Sequence, residues 1–341
     1  MKIIITGGAG FLGARLAREL CMRNTLSLRG QAAQRISSIV LADRVAAPAD
    51  LASHPRMISE VGDLFDQLQS NPANLLARHA DAAAVFHLAA AVSGECEANF
   101  ELGMRSNYAT THLLLESCRA LKTQPLVFFA SSLAVFGQTP LLPFNLPVTD
   151  TTLPTPQSSY GIQKFIGEQL VADYTRKGFV RGRSVRPATV SVRAGLPNGA
   201  ASGFFSGMIR EPLAGLRATV PVSRPTPVAL ASPRSTIEGL IRAAEASDAD
   251  WGPLTAINLA SIRSTVGDMA DALERVAGPA GTALLDWAPD AATDKLVSSW
   301  PANLGCARAR SLGLQPDASF EAIVREYVRE NPDAVRLPIR Q

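Results

Sequence analysis

Tyr160 and Lys164 stand four residues apart in the stretch SSYGIQK, a spacing that puts both on one face of a helix. A free phenol ionises near pH ~10, too high for a useful base at neutrality. An ammonium beside it favours the phenolate and lowers that value, so Lys164 can activate Tyr160 as a general base for a hydroxyl proton. Lys164 can also hydrogen-bond the ribose of a nicotinamide cofactor. The same spacing fits an ordinary surface pair, so it needs company. Upstream, FFASSLAVFG sets Ser131 and Ser132 directly behind an apolar run. A serine there can hold the reacting oxygen in line with the phenol. Ser132 is the first candidate and Ser131 the alternative.

A second constellation opens the chain. In KIIITGGAGFLG, Gly7, Gly10 and Gly13 follow a run of isoleucines. Gly7 can take a backbone angle closed to other residues, Gly10 lets the main chain approach a pyrophosphate, and Gly13 lets the following helix sit close on the strand. The positive end of that helix then faces the phosphates. A plain tight turn is the competing explanation. Asp43 closes the next apolar run, IVLAD. An acid there accepts hydrogen bonds from the adenine ribose and repels a 2′-phosphate, which favours NAD over NADP. Asp43 lies 30 residues beyond Gly13, the polar stretch NTLSLRGQAAQRISS lengthening the connection, and Arg44 follows directly. Asp43 also fits a strand-end cap. Asp63, in VGDL, is expected near the adenine.

These residues need a scaffold, and the pattern supplies one. Strands are expected at Ile3–Thr6, Ile39–Ala42, Val85–Leu88, Leu126–Ala130 and Arg183–Val192. Helices are expected at Phe11–Arg23, Gly103–Leu121 and Ser158–Thr175. Short buried strands alternating with helices make a parallel sheet covered on both faces, whose carboxyl edge is where ligands bind. The pattern loosens after Arg193, with a Gly/Ala/Ser-rich stretch and then a proline-rich one. LTAINLAS reads as a core strand returning to the sheet, and helices close the chain near Ser264–Val276 and Ser319–Glu330. The division expected is a dinucleotide-binding domain over 1–192, with returning segments near 226–261, and a mainly substrate-binding lobe over 193–341.

Composition narrows the classes. The 341 residues are 47% hydrophobic and 18% charged with a net charge of +3, which suits a globular enzyme and argues against disorder. The arginines are scattered, so no nucleic-acid partner is expected. No apolar run approaches the ~18 residues of a membrane span, no secretory leader is visible, and four cysteines without a CxxC pair fit reduced thiols in the cytoplasm. No His, Cys and carboxylate cluster has metal spacing, so no metal is expected. His87, at a strand end, is read as a buried hydrogen-bonded histidine.

Taken in order, TGGAGFLG, HLAA (His87–Ala90), SSLAVFG and YGIQK resemble the extended short-chain dehydrogenases/reductases, the group containing nucleotide-sugar epimerases, over nearly the whole chain. The resemblance implies an α/β, doubly wound parallel-sheet Rossmann fold with a smaller C-terminal lobe, and NAD as cofactor. It implies Ser132, Tyr160 and Lys164 as the catalytic triad, with Asn107 supporting a proton relay. Phe11, Leu12, Leu64, Leu88, Ala89, Ala90, Pro187, Thr189 and Val190 would join the glycines along the cofactor. The loops SGECEANFELG, PNGAASGFF and IREPLAG are similar to a branch that oxidises small sugar acids. The chain departs from that branch at Ala194-Gly195-Leu196, where Pro-Gly-Lys is expected. Such a substrate needs a cation for its carboxylate, for which arginine's planar fork is suited. Arg193 and Arg234 are the candidates, or else members of a structural ion pair, with Ser93, Asn198 and Ser202 as hydroxyl partners. The helices Gly103–Leu121 and Ser158–Thr175 would form a homodimer contact. The rivals are a nucleotide-sugar epimerase or dehydratase, which returns the hydride, and a non-catalytic NAD(H)-sensing regulator.

Overall fold

The computed structural model describes residues 1–69, 73–121, 123–144, 147–195 and 199–340. Six strands of the main sheet, β1 (Lys2–Thr6), β2 (Ser38–Asp43), β3 (Met57–Val61), β4 (Ala82–His87), β5 (Leu126–Ala130) and β6 (Arg181–Arg186), precede the lobe, with a short antiparallel pair, Thr25–Leu26 and Gln34–Arg35, between the first two. The chain then leaves the sheet through β7 (Thr189–Val190), β8 (Ala218–Val220) and β9 (Pro227–Ala231), and returns as β10 (Ile257–Asn258). The main sheet runs β3-β2-β1-β4-β5-β6-β10, every pairing parallel. This is a doubly wound α/β sheet. Its order reverses between β1 and β4, which opens a crevice at their carboxyl ends.

The isoleucine run explains itself in this setting. Side chains alternate across a strand: Ile3 and Ile5 pack into one layer and Ile4 into the other, all three fully buried. Both faces of a parallel sheet are covered, so no polar residue interrupts the run. On the first face lie α1 (Phe11–Arg23), the helix Pro233–Glu245 and, from near the C-terminus, Ala309, Leu312 and Leu314. On the second lie α2 (Thr110–Ala120) and α3 (Ser159–Arg176), with Leu114, Leu115 and Val171 at the contact.

The smaller lobe has its own core. β9 pairs in parallel with β7 and antiparallel with β11 (Ile262–Thr265), while β8 pairs with β12 (Leu285–Trp287). Phe205, Met208 and Ile209 of the helix Gly203–Leu213 meet Met269 and Leu273 of Val266–Ala277, and Ile323 and Val324 of Phe320–Glu330.

Three elements differ from their sequence expectation. Arg183–Val192 is two strands, broken at Pro187, which has no N–H for the ladder; β6 stays in the main sheet and β7 joins the lobe. The helix over 103–121 carries a π-helical stretch, Met104–Ala109, ahead of α2. The edge strand β3 is not among the strands expected: its apolar Met57, Ile58 and Val61 are interrupted by Ser59 and Glu60, and three of its five residues face solvent.

Candidate active site

The glycine turn is built by exclusion. Gly7 sits at φ 69° in the left-handed region, and a Cβ there would lie 2.8 Å from the Ala89 nitrogen. A Cβ on Gly13 would lie 2.1 Å from the Gly7 carbonyl oxygen. Both side chains are therefore forbidden, one by the loop after β4 and one by the turn itself. Gly10 N–H donates to the Gly7 carbonyl at 3.1 Å and begins α1 without a side-chain cap, so the positive helix end faces the crevice. Asp43 Oδ2 accepts from Ala9 N–H at 3.0 Å, tying the end of β2 to the turn. The cap and the crevice-facing acid are thus one residue. Asp63 accepts from Phe65 N–H at 3.0 Å and from Arg105 Nη2 at 3.2 Å.

Tyr160 reaches Ser132 because the start of α3 packs directly on the turn that follows β5. Ser158 caps α3, its Oγ accepting from Gly161 N–H at 3.1 Å. A Cβ on Gly161 would lie 2.1 Å from the Ala134 carbonyl oxygen, so only glycine permits this approach. Ser132 Oγ accepts from Ala134 N–H at 3.1 Å and stands close enough to Tyr160 to lower its pKa. Lys164 is buried, its Nζ donating to the Ala130 carbonyl at 2.8 Å and standing 5.7 Å from the Tyr160 ring centre. Ser131 is turned away, donating to Glu168 Oε1 at 2.5 Å. That contact leaves Ser132 as the serine facing the phenol.

The electrostatics of the ligand-free site favour the neutral phenol. Burial pushes the Tyr160 phenol up to about 12, while the Ser132 hydroxyl and the Arg193 cation pull it down. Burial brings Lys164 itself down to about 8, opposed by Cys96 and Glu168. In the ligand-free protein Tyr160 is therefore a protonated phenol at neutral pH.

The loop after β4 meets the lobe over the same cleft. Ser93 Oγ accepts from Ala201 N–H at 3.1 Å, and a Cβ on Gly94 would lie 2.3 Å from the Gly199 carbonyl oxygen. Arg193 is held by its backbone: its N–H donates to Ser206 Oγ at 3.0 Å and its carbonyl accepts from Arg210 Nη1 at 2.8 Å. Among the described residues no acid pairs with its guanidinium. Burial lowers its pKa, the Arg210 cation adds to that, and Tyr160 opposes it. A cleft of about 500 Å³ joins these parts. Its walls include Gly7, Gly10, Phe11, Leu12, Asp43, Asp63 and Leu64 from the turn and the ends of β2 and β3. Leu88, Ala89, Ala90, Ser132, Tyr160, Lys164, Pro187, Thr189 and Val190 also line it, as do Ser93, Arg193 and Ser202.

Residues 3–228 match the NAD dependent epimerase/dehydratase family. The chain belongs to that family. It is 47% identical to a D-erythronate dehydrogenase of Cupriavidus necator, covering 97% of this chain and 98% of the relative. A D-erythronate dehydrogenase of Haemophilus influenzae is 36% identical over 96% of this chain and 99% of the relative. Among solved structures, a nucleoside-diphosphate-sugar epimerase from Agrobacterium tumefaciens superposes with a TM-score of 0.86 at 35% identity, covering 98% of this chain and 95% of that one. Membership in an NAD dependent family fits the cradle left by Gly7 and Gly13, the uncapped start of α1 and the acid at the end of β2.

Within this epimerase/dehydratase frame several residues take a more definite place. Asn107 does not line the cleft. Its Oδ1 accepts from Ala91 N–H at 2.8 Å, and its Nδ2 donates to the Ala91 carbonyl at 3.1 Å and to Gln163 Oε1 at 2.9 Å. It fixes the loop after β4 to α3, and the π-helical stretch turns it inward. His87 is buried between Thr6 Oγ1 at 2.7 Å and Thr111 Oγ1 at 3.0 Å. Thr111 already donates to the Asn107 carbonyl at 2.6 Å, so it accepts from His87 Nε2–H, and the neutral imidazole takes Thr6 as its donor. Burial accordingly brings His87 down to about 3.

Arg234 is a correction. It is absent from the cleft walls and pairs with Glu326 at 2.8 Å and Asp317 at 3.8 Å, where its helix meets the C-terminal segment. It sits at the first turn of a helix, beside acids brought from the C-terminal segment, which no local spacing reveals. Asn198 lies outside the described residues. Sequence reasoning missed Glu95 and Trp300, which line the cleft. Glu95 was visible inside SGEC, whereas Trp300 arrives from a C-terminal stretch with no motif around it.

Proposed function

We propose that the protein is an NAD-dependent dehydrogenase that oxidises the C2 hydroxyl of a small sugar acid, with D-erythronate going to 2-dehydro-D-erythronate as the favoured reaction. The observation that carries this is Arg193: a partly buried guanidinium without an acid partner among the described residues, electrostatically coupled to Tyr160. A carboxylate bound there brings the adjacent C2 hydroxyl toward the phenol. The two relatives named for D-erythronate support the same substrate.

Tyr160, once ionised, takes the C2 hydroxyl proton, and Ser132 donates a hydrogen bond to the oxygen as charge builds on it. Lys164 and Arg193 provide the positive charge that favours the phenolate. Bound NAD supplies the hydride acceptor. Gly7, Gly10 and the start of α1 would hold its pyrophosphate, and Asp43 its adenine ribose, which favours NAD over NADP. The cleft volume of about 500 Å³ lies within the ~300–1,000 Å³ usual for one ligand. Shared with a dinucleotide, it favours an acid of a few carbons over a nucleotide sugar. We also propose a homodimer through α3 and the helix before it, where Ile162 is 48% exposed; a monomer mass in light scattering would refute that pairing.

The test is a panel of four- to six-carbon aldonic acids, including D-erythronate and L-threonate, with NAD or NADP, read by absorbance of the reduced cofactor. Turnover of a four-carbon acid with NAD is expected. Tightly retained cofactor with no net reduction on any acid would point instead to an epimerase.

A further inference from the structure

One turn along α3 from Lys164, Glu168 is buried and does not line the cleft. Its Oε1 accepts from Ser131 Oγ at 2.5 Å and from Arg186 Nε at 2.8 Å, and its Oε2 accepts from Arg186 Nη2 at 2.7 Å. Arg186, at the end of β6, is equally buried, stands 4.7 Å over the Phe136 ring and leaves Nη1 without a hydrogen-bond partner. Three elements of the site converge on this one carboxylate. β5 leads through Ser131 to Ser132, α3 carries Tyr160 and Lys164, and β6 runs into Pro187 on the cleft wall.

An ion pair removed from water yields little net stability, and apolar side chains of the same volume often serve the fold equally well. Stability is thus a weak reason for a carboxylate at this position. Its effect on the neighbouring charge is a stronger one. Lys164 is faced by Tyr160 and Glu168 from its own helix, Cys96 from the helix Ser93–Ala98, His87 from β4, and the Ala130 carbonyl from β5. The His87 imidazole is neutral at working pH and the Cys96 thiol is pushed up to about 11. Glu168 is the carboxylate of this group.

We infer that Glu168 is a positioning residue, which fixes the serine-bearing end of β5 and the end of β6 against α3 through Ser131 and Arg186 and sets a carboxylate one helical turn from the Lys164 ammonium. The inference rests on the dehydrogenase reading for its effect on turnover, but not for its effect on Lys164.

The test compares wild type, Glu168→Gln, and the apolar triple variant Ser131→Ala/Glu168→Leu/Arg186→Met. Competitive acetylation of Lys164 in the ligand-free protein, mapped by mass spectrometry from pH ~6 to ~10, gives its titration midpoint. Glu168→Gln is expected to titrate Lys164 at lower pH by about half a unit or more, and the triple variant, which also loses the Arg186 cation, by less. The alkaline limb of kcat is expected to move the same way, and kcat to fall about 10-fold or more, while the triple variant keeps its melting temperature within a few degrees. An unchanged Lys164 midpoint in the folded variants would overturn the proposal, as would wild-type kcat in the triple variant. If the wild-type protein oxidises no acid of the panel, the dehydrogenase reading fails, and the acetylation midpoint still decides the role of Glu168.

Discussion

Replacing Arg193 by Gln separates substrate recognition from folding, because the structure predicts opposite signs for the two. The guanidinium is partly buried, repelled by Arg210 and paired with no acid among the described residues. Removing an unpaired, desolvated charge relieves a cost, so the melting temperature of Arg193→Gln should hold or rise. Once a carboxylate is bound, the same charge forms a desolvated hydrogen-bonded pair, and truncating one partner of such a pair costs about 2–5 kcal/mol. At 1.36 kcal/mol per factor of ten, kcat/KM for the acid should fall roughly 30- to 5,000-fold. The assay is steady-state reduction of NAD with the acid and with its neutral amide, beside cofactor affinity from tryptophan fluorescence. The amide should lose less than ~5-fold, since a neutral group makes no charge-assisted pair, and cofactor affinity should be unchanged. Equal losses on acid and amide, or a loss under ~3-fold on the acid, would refute Arg193 as the carboxylate partner.

The remaining predictions follow from the same geometry. Tyr160→Phe should lower kcat by about 10²–10⁴-fold while still binding NAD; near-normal NADH production would remove Tyr160 as the base. Because burial holds the phenol at about 12 and brings Lys164 down to about 8 in the free protein, oxidation should speed up as pH rises from ~6 and turn over once Lys164 loses its proton near ~8; a flat profile between pH ~6 and ~9 would contradict that. Gly13→Ala puts a Cβ 2.1 Å from the Gly7 carbonyl oxygen, which should cost about 1–3 kcal/mol and weaken NAD binding; calorimetry with and without cofactor reads both. His87 takes its proton at about 3 when folded, against an ordinary 6.5. The unfolded chain therefore binds that proton first, and stability is lost as pH falls from 6.5 toward 3, by at most about 1.4 kcal/mol per pH unit. Denaturant titrations of His87→Gln should show a shallower loss over that window; an identical slope would count against it.

Sequence alone determined whatever is governed by neighbours along the chain. The isoleucine run, three glycines at fixed spacing and a Tyr–Lys pair one helical turn apart are local patterns, since burial alternates within a strand and side chains share a face within a helix. So the sheet, the turn and the phenol with its lysine were all legible. Tertiary structure decided what depends on partners far along the chain. Ser131 and Ser132 are identical as letters, and only the distant Glu168 turns one away. Arg193 and Arg234 are equally plausible cations until folding brings acids to Arg234 and none of the described ones to Arg193. The break at Pro187 matters because β9, nearly forty residues on, receives β7 in the lobe. The Tyr160 pKa was the least legible property of all. Four residues of spacing predict an ammonium nearby, but the desolvation that outweighs it comes from the whole packed cleft.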